Sequence, residues 1–154
     1  MSAPDVEALL LATFSYDPVT GHFVRLIDRS QGGHSRGIGK RAGHPAGVGY
    51  RTLRLHVKGK RIVVPEHRAA FLFMTGKLPV DKVDHLNGIR DDNRWCNLQD
   101  VSTQENNRNI AVRETGRQVV RIGGKYYPLL TDGYDCPREA AAARDTLNSI
   151  LRLF

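Results

Sequence analysis

The stretch Val83–Asn109, VDHLNGIRDDNRWCNLQDVSTQENNRN, concentrates the side chains of this 154-residue chain that could do chemistry. Asp84 and His85 stand side by side, and Asn106 follows 22 residues after Asp84. A carboxylate oxygen and an amide oxygen are hard donors that suit Mg²⁺ or Mn²⁺ and leave coordination positions for phosphate and water. A neutral imidazole, with a usual pKa near ~6.5, takes a proton from water at neutral pH, which is the general-base task in phosphodiester hydrolysis. A cation held by Asp84 and Asn106 would polarise the phosphate and offset charge on the departing oxygen. The trio points to metal-assisted cleavage of a phosphodiester.

The local pattern supplies elements to position these groups. Val80 to His85 reads as a short strand, followed by a polar loop with Asn87-Gly88 and Asp91-Asp92-Asn93. A second strand is expected from Leu98 to Val101. A helix then starts where Ser102 or Thr103 can cap and Glu105 lies where a capping box places an acid. Neighbouring strand side chains point to opposite faces, so Asp84 and His85 need a twisted strand end to serve one site. Trp95 and Cys96 are expected to fill the base of the loop.

Upstream, Ser2 to Phe14 reads as a short packing helix with Val6, Leu9, Leu10 and Phe14 on one face. FSY-DPVTG-HFVRL has the turn chemistry of a hairpin. Between Gly32 and Gly49 there are seven glycines, with His34, Arg36, Lys40, Arg41 and His44, a composition that predicts a mobile basic loop. From Tyr50 the residues alternate, Leu53, Leu55 and Val57 against Thr52, Arg54 and His56, which predicts a half-buried strand. Lys58-Gly59-Lys60 turns it back into Arg61–Val64. Pro65 opens a helix, EHRAAFLFMT, that Gly76 ends, with Phe71 and Met74 assigned to the core. Downstream, strands around Val119–Ile122 and Lys125–Leu130 flank Gly123-Gly124, and a helix after Pro137 carries Ala143, Leu147, Ile150, Leu151 and Phe154 on one stripe. The expected fold class is α+β: N-terminal β-hairpins, a central strand-strand-helix unit and a C-terminal strand-strand-helix. The expected domains are a basic β-rich region at 1–79, the chemistry-bearing motif at 80–112, and a C-terminal region at 113–154 for packing, DNA binding or dimerisation.

Charge narrows the partner. Lys and Arg number 23 against 16 Asp and Glu, a net charge of +7 with a pI near 9.8, which favours polyanions. From Thr20 to Val64 there are ten Lys/Arg and one acid, Asp28, whereas Asp81 to Ile110 holds six acids and four bases. Carboxylates in an anion-binding protein work against it unless a cation stands between them and the phosphate. The two cysteines, Cys96 and Cys136, lie forty residues apart, too few and too isolated for a structural zinc knuckle. No run approaches the ~20 apolar residues needed to span a bilayer, and MSAPDVEALL lacks the cationic lead of a signal peptide, so the expectation is a cytoplasmic protein without a membrane partner.

Taken in order, DH, DN, N-L and EN at this spacing resemble the HNH endonucleases of the phage and intron-encoded homing type. The resemblance covers roughly residues 12 to 110, including YDPVTGHF, the basic glycine-rich loop, GYRTLRL, the KGKR turn and the His67-Arg68 helix start. It implies a ββα-metal motif with the catalytic His at His85, the metal-binding Asp at Asp84, the middle Asn at Asn97 and the closing position at Asn106. The middle Asn of the family ties the ββ loop together and helps orient the base. The closing residue is Asn here rather than His, as in the homing-type subset, and Asn109 is a neighbouring rival for it. RIGGKYYPLLTDGYDCPREAAAARDTL weakly resembles an Apetala-type DNA-binding domain.

The resulting expectation is a metal-dependent endonuclease on double-stranded DNA, in a bacterial or phage-infected cell, acting as monomer or homodimer. One site cuts one strand, and the products carry 5′ phosphate and 3′ hydroxyl, as the family implies. Arg36, Lys40, Arg41, Lys58 and Arg61 are assigned to phosphate contacts, Arg51, Arg54 and Lys60 to groove reading, and Arg94 and Arg108 to phosphates flanking the motif. His22, His34, His44 and His56 are expected at the surface or beside phosphates, and His67 packed near the site or touching DNA. The alternatives are a catalytically silent DNA-binding protein on the same scaffold, which intact Asp84, His85 and Asn106 disfavour, and an RNA-directed protein, for which no stacked-aromatic pattern is found.

Overall fold

A computed structural model describes residues 3–27, 37–57, 60–107, 119–122 and 125–128. The chain divides into two compact units, Met1–Val80 with Arg90–Trp95, and Asp81–Ile89 with Cys96–Phe154. The described elements mix helices with small antiparallel sheets, an α+β arrangement.

The first unit starts with helix α1 (Ala3–Thr13), which leads directly into β1 (Phe14–Asp17). β1 pairs antiparallel with β2 (His22–Arg25), Asp17 opposite His22. The Asp17 carboxylate closes the turn, accepting from the Val19 amide at 2.9 Å and the Thr20 hydroxyl at 2.7 Å. Gly21 at φ +71° completes the turn, and a Cβ there would lie 2.4 Å from the Arg94 backbone nitrogen. That approach leaves room only for glycine.

A three-stranded sheet follows in the order β3 (His44–Pro45), β4 (Arg51–Val57), β5 (Lys60–Pro65). Leu53 and Leu55 are buried while His56 is exposed, as the alternation requires. The glycine-rich segment departs from the expected mobile loop from Gly37 onward. Ile38 bridges Arg25, Arg41 bridges Val24, and the Ala42 amide donates to the Phe23 carbonyl at 2.7 Å. Gly37, Gly39 and Gly43 take positive φ, so the glycines let the chain follow the edge of the first hairpin rather than leave it.

Helix α2 (Glu66–Thr75) begins after Pro65 and ends at Gly76, whose φ of 81° and amide bond to the Leu72 carbonyl close the helix. Its buried residues include Glu66, Ala69, Ala70, Phe71 and Leu72. The core assignment of Met74 is corrected: it is 41% exposed. The row at 66, 69, 70 and 73 faces inward, and Phe73 stands edge-on to Phe23 at 5.5 Å and tilted to Tyr16 at 6.2 Å. This aromatic group, with Leu10, Phe14, Leu53 and Leu72, forms the core of the unit. Trp95 packs edge-on against Phe71 at 4.8 Å.

In the second unit β6 (Lys82–His85) pairs antiparallel with β7 (Leu98–Val101), and a short helix, α3, occupies residues 103–107. β6 starts two residues later than the sequence suggests, since Val80 is 90% exposed. Val83, Leu86, Leu98 and Val101 are buried. A separate hairpin joins β8 (Val119–Ile122) to β9 (Lys125–Pro128), with Val119 opposite Pro128. The helix expected after Pro137 lies outside the described residues.

Candidate nuclease site

The second unit places Asp84 and His85 at the end of β6, opposite Gln99 and Leu98 of β7. Both side chains are buried, at 4% and 3% exposure. Two adjacent polar residues buried at a strand end are costly unless their partners are fixed. The Gln99 side-chain amide lies 3.5 Å from Asp84 Oδ2.

Immediately after His85 the chain turns, and Asn97 holds that turn. Asn97 is fully buried. Its Oδ1 accepts from the Asn87 amide at 3.0 Å, its Nδ2 donates to Asn87 Oδ1 at 2.9 Å, and its own carbonyl accepts from the Leu86 amide at 2.8 Å. Asn87 Oδ1 also accepts from the Ile89 amide at 2.9 Å. The Gly88 amide closes back on the His85 carbonyl at 2.9 Å, with Gly88 at φ 75°. One buried amide thus ties both sides of the loop and fixes the backbone beside His85. The partner amide, Asn87, is a site residue that sequence reading registered only as a turn former. An Asn-Gly pair is most often just a turn, so nothing in the local sequence marks its second role.

Asn106 is half-buried on α3, its amide donating to the Ser102 carbonyl at 3.0 Å. Ser102 and Glu105 form the reciprocal cap foreseen in the sequence. The Glu105 amide donates to Ser102 Oγ, and the Ser102 amide donates to Glu105 Oε2, both at 3.2 Å. Asp84, His85, Asn97 and Asn106 therefore all belong to one strand-strand-helix unit. Among the described residues no group of three or more His, Cys, Asp and Glu gathers as a metal cage. The donor chemistry that Asp84 and Asn106 offer is a carboxylate with an amide, hard oxygens suited to a divalent cation that keeps water and phosphate as further ligands. Asn109 and Arg108 lie outside the described residues.

The basic residues assigned to DNA belong mostly to the first unit and separate into two groups. Lys40, Arg41, Lys60 and Arg61 are exposed. Arg51 and Arg94 are engaged within the protein. Arg51 Nε lies 3.3 Å from Glu66 Oε1, and its Nη2 donates to the Gly43 carbonyl at 3.2 Å. Arg94 grips Asp92 through Nε at 2.8 Å and Nη2 at 2.7 Å. Arg54, with Arg25 and His56, lines a cavity of about 410 Å³. Arg36 and Lys58 lie outside the described residues.

Glu66 was not foreseen. It is 1% exposed and joins Arg51 to Asn93, whose Nδ2 donates to Glu66 Oε2 at 2.9 Å. The Asn93 carbonyl accepts from the Tyr16 hydroxyl at 2.7 Å. Burial pushes the Glu66 carboxyl above its ordinary range, against the opposing pull of the Arg51 charge and the Asn93 hydrogen bond. A glutamate in the first turn of a helix reads as an exposed capping acid, and only tertiary packing shows otherwise.

The unit around Asp84 is thus an antiparallel pair followed by a short helix, with Asp84-His85 ending the first strand and the buried Asn97 spanning the loop. Residues 64–108 match the family model described as HNH endonuclease. A solved structure described as DNA binding and cleavage by the HNH homing endonuclease I-HmuI is similar at 25% identity and a TM-score of 0.49, over 67% of this chain and 54% of that one. The similarity spans about half of that protein's length. No curated protein matches the chain. Among the described residues no helix is long and apolar enough to cross a membrane.

Proposed function

We propose that the segment matching the HNH endonuclease family acts in a metal-dependent endonuclease that hydrolyses phosphodiesters of double-stranded DNA. The observation that carries the reading is the Asn97 brace, which fixes the loop directly after a buried Asp84-His85 pair. His85 takes a proton from the attacking water as its oxygen bonds to phosphorus. The bond from phosphorus to the 3′ oxygen breaks, a proton from solvent completes the 3′ hydroxyl, and the 5′ phosphate remains on the other fragment. Asp84 and Asn106 hold a divalent cation, Mg²⁺ or Mn²⁺. When bound, such a cation supplies charge stabilisation for the phosphoryl and leaving oxygens. Asn97 positions His85 and touches no reacting atom.

Lys40, Arg41 and Arg61 of the basic region, residues 1–79, hold the duplex through its phosphates, with Arg36 and Lys58 of the same region. Arg54 and Lys60 remain assigned to groove reading, and Arg108 to a phosphate beside the motif. Arg51 and Arg94, already bonded to Glu66 and Asp92, shape the protein surface that meets the DNA. Residues 80–112 perform the chemistry, and residues 113–154 add packing, DNA contact or a dimer contact. The setting is the cytoplasm of a bacterial or phage-infected cell, the enzyme a homing or nicking type, monomeric or homodimeric.

Supercoiled plasmid incubated with the protein in Mg²⁺, Mn²⁺ or EDTA, beside His85→Ala, tests the reading. Relaxed or linear product is expected with either cation, absent in EDTA and reduced at least a hundredfold in His85→Ala. Binding without cleavage across substrates and metals, equal in both proteins, would leave a DNA-binding module in its place.

A further inference from the structure

Between Ala46 and Tyr50 the chain makes a tight reversal, the Ala46 amide donating to the Tyr50 carbonyl at 2.7 Å around a single turn at Gly47–Gly49. Val48 stands at its apex with φ 56° and ψ 31°. Among the described residues it is the one non-glycine with positive φ. That conformation brings Cβ against the backbone and is a genuine outlier for a β-branched side chain. Glycines stand on either side, so the strained position has been given to the one residue of the three that bears a side chain. Burial does not compensate for it, because Val48 is 73% exposed.

The loop is instead clamped from behind. Arg90 Nη1 donates to the Val48 carbonyl at 2.8 Å. The Arg90 guanidinium lies 5.3 Å from the Tyr50 ring centroid, and the Tyr50 ring lies 5.3 Å from that of His67. Backbone strain over-determined by its surroundings is characteristic of residues whose orientation is functional. Here the clamp maintains a small apolar tip pointing into solvent.

We propose that Val48 is a wedge that enters a base step of the bound duplex from the minor groove and kinks it. This rests on the DNA-cleaving reading above. Apolar side chains inserted between base steps are how minor-groove proteins unstack and bend DNA. The flanks fit that partner. An added Cβ at Gly47 would meet nothing within 4 Å, so open space lies beside the Val48 tip. The chain around it, Thr20 to Val64, holds ten Lys/Arg against one acid, the wrong balance for a basic or purely apolar protein partner and the right one for paired phosphate backbones. A β-branched aliphatic at the tip resists the rotamer averaging that would blunt a longer side chain.

The test uses the full chain with a duplex cut from a plasmid region that it cleaves. Fluorophores at the two ends report bending, and 2-aminopurine placed at successive steps reports unstacking. The wild type is expected to shorten the end-to-end distance and brighten 2-aminopurine at one step. Val48→Gly should abolish both signals and weaken binding about tenfold, while melting no lower than the wild type because the strain is relieved. Val48→Leu should retain the bend. Bending and unstacking unchanged in Val48→Gly would overturn the wedge, as would loss of the bend only in proportion to a lowered melting temperature. Metal-dependent plasmid cleavage by the same preparations separates this failure from failure of the nuclease reading. A wild type that cleaves DNA without bending it loses the wedge alone.

Discussion

Each unit fastens a loop with a buried asparagine, and the two fastenings use different chemistry. In the first unit Asn93 is held by a carboxylate, Glu66, which in turn binds Arg51. In the second unit Asn97 is held by another amide, Asn87, through two hydrogen bonds between neutral groups. An ionic brace ties stability to pH and costs desolvation, whereas a paired amide is indifferent to pH and leaves the local field to whatever charges stand beside it. Beside Asp84 and His85, the residues proposed to hold a cation and take a proton, a neutral brace holds the loop without adding a further charge. Where the task is to hold a scaffold, the ionic version serves.

Breaking the neutral brace is expected to have the largest effect. Asn97→Ala takes the side-chain acceptor from the Asn87 amide and one of two donors from the Asn87 side-chain oxygen, which keeps the Ile89 amide, and should lower stability by about 2–3 kcal/mol. Plasmid cleavage should fall at least a hundredfold, beyond what the lost stability explains, since His85 loses the constraint on its loop. Asn97→Asp sharpens the point. It keeps an acceptor for the Asn87 amide but loses the donor to Asn87 Oδ1, and it places a titratable group in a site that has an amide. Its stability and activity should then vary with pH where those of the wild type do not through this residue. A cleavage rate for Asn97→Ala within threefold of the wild type would show that the brace is dispensable for chemistry.

Breaking the ionic brace should act on the scaffold. Glu66→Ala removes the carboxylate that Arg51 Nε and the Asn93 side-chain amide share, leaving Arg51 its Gly43 carbonyl, with an expected loss of about 2–4 kcal/mol. Chemical denaturation measures it. The cleavage rate of the fraction that remains folded should change little, in contrast to Asn97→Ala. Glu66→Gln retains the acceptor and removes the charge, so it isolates the titration. The Glu66 carboxyl is raised above its ordinary value of 4.5 by burial, so its favourable contribution is complete below that value and is lost as pH rises through the raised value. Relative to the wild type, Glu66→Gln should therefore gain stability as pH rises above about 4.5. A difference that ran the other way would mean that the Arg51 charge outweighs burial.

The contrast between these braces was only half legible in the sequence. Local chemistry announced itself: Pro65 and Gly76 bound α2, Ser102 and Glu105 cap α3, and Leu98–Val101 forms the strand foreseen for it. The resemblance to the HNH endonucleases was recognisable because the order and spacing of Asp84, His85, Asn97 and Asn106 carry far more information than any one of them. What escaped was fixed by packing between distant segments. Glu66 looks like a helix-start acid until Arg51 and Asn93 close over it. Met74 has the apolar character of a core residue, yet the inward row of α2 passes through Phe73 instead. The glycines from Gly37 onward suggest a loose loop, but positive φ at several of them lets the segment pair with Val24 and Arg25. Val48 gives no sequence signal of its strained backbone, since two flanking glycines are the residues expected to take that conformation.

The smallest effect tests whether acid loosens only one of the two regions. His22, in the first unit, is held below its ordinary pKa of 6.5, mainly by burial and then by the charges of Arg41 and Arg51, with Asp17 opposing. A base with a lowered folded pKa favours the neutral form in the native state. Its contribution is complete above 6.5 and is lost as pH falls through the lowered value, because the unfolded chain takes up the proton first. Stability should therefore drop modestly on acidification below about pH 6.5, and His22→Gln should flatten that part of the profile. Glu66 acts in the opposite sense at lower pH, so the two variants bend the curve in different directions and can be assigned separately. Hydrogen exchange of the amides on the Asn97-braced loop provides the control: protection at Asn87 and Ile89 should follow neither titration. If protection there fell in step with His22, the neutral brace would not insulate the nuclease loop from the charged scaffold.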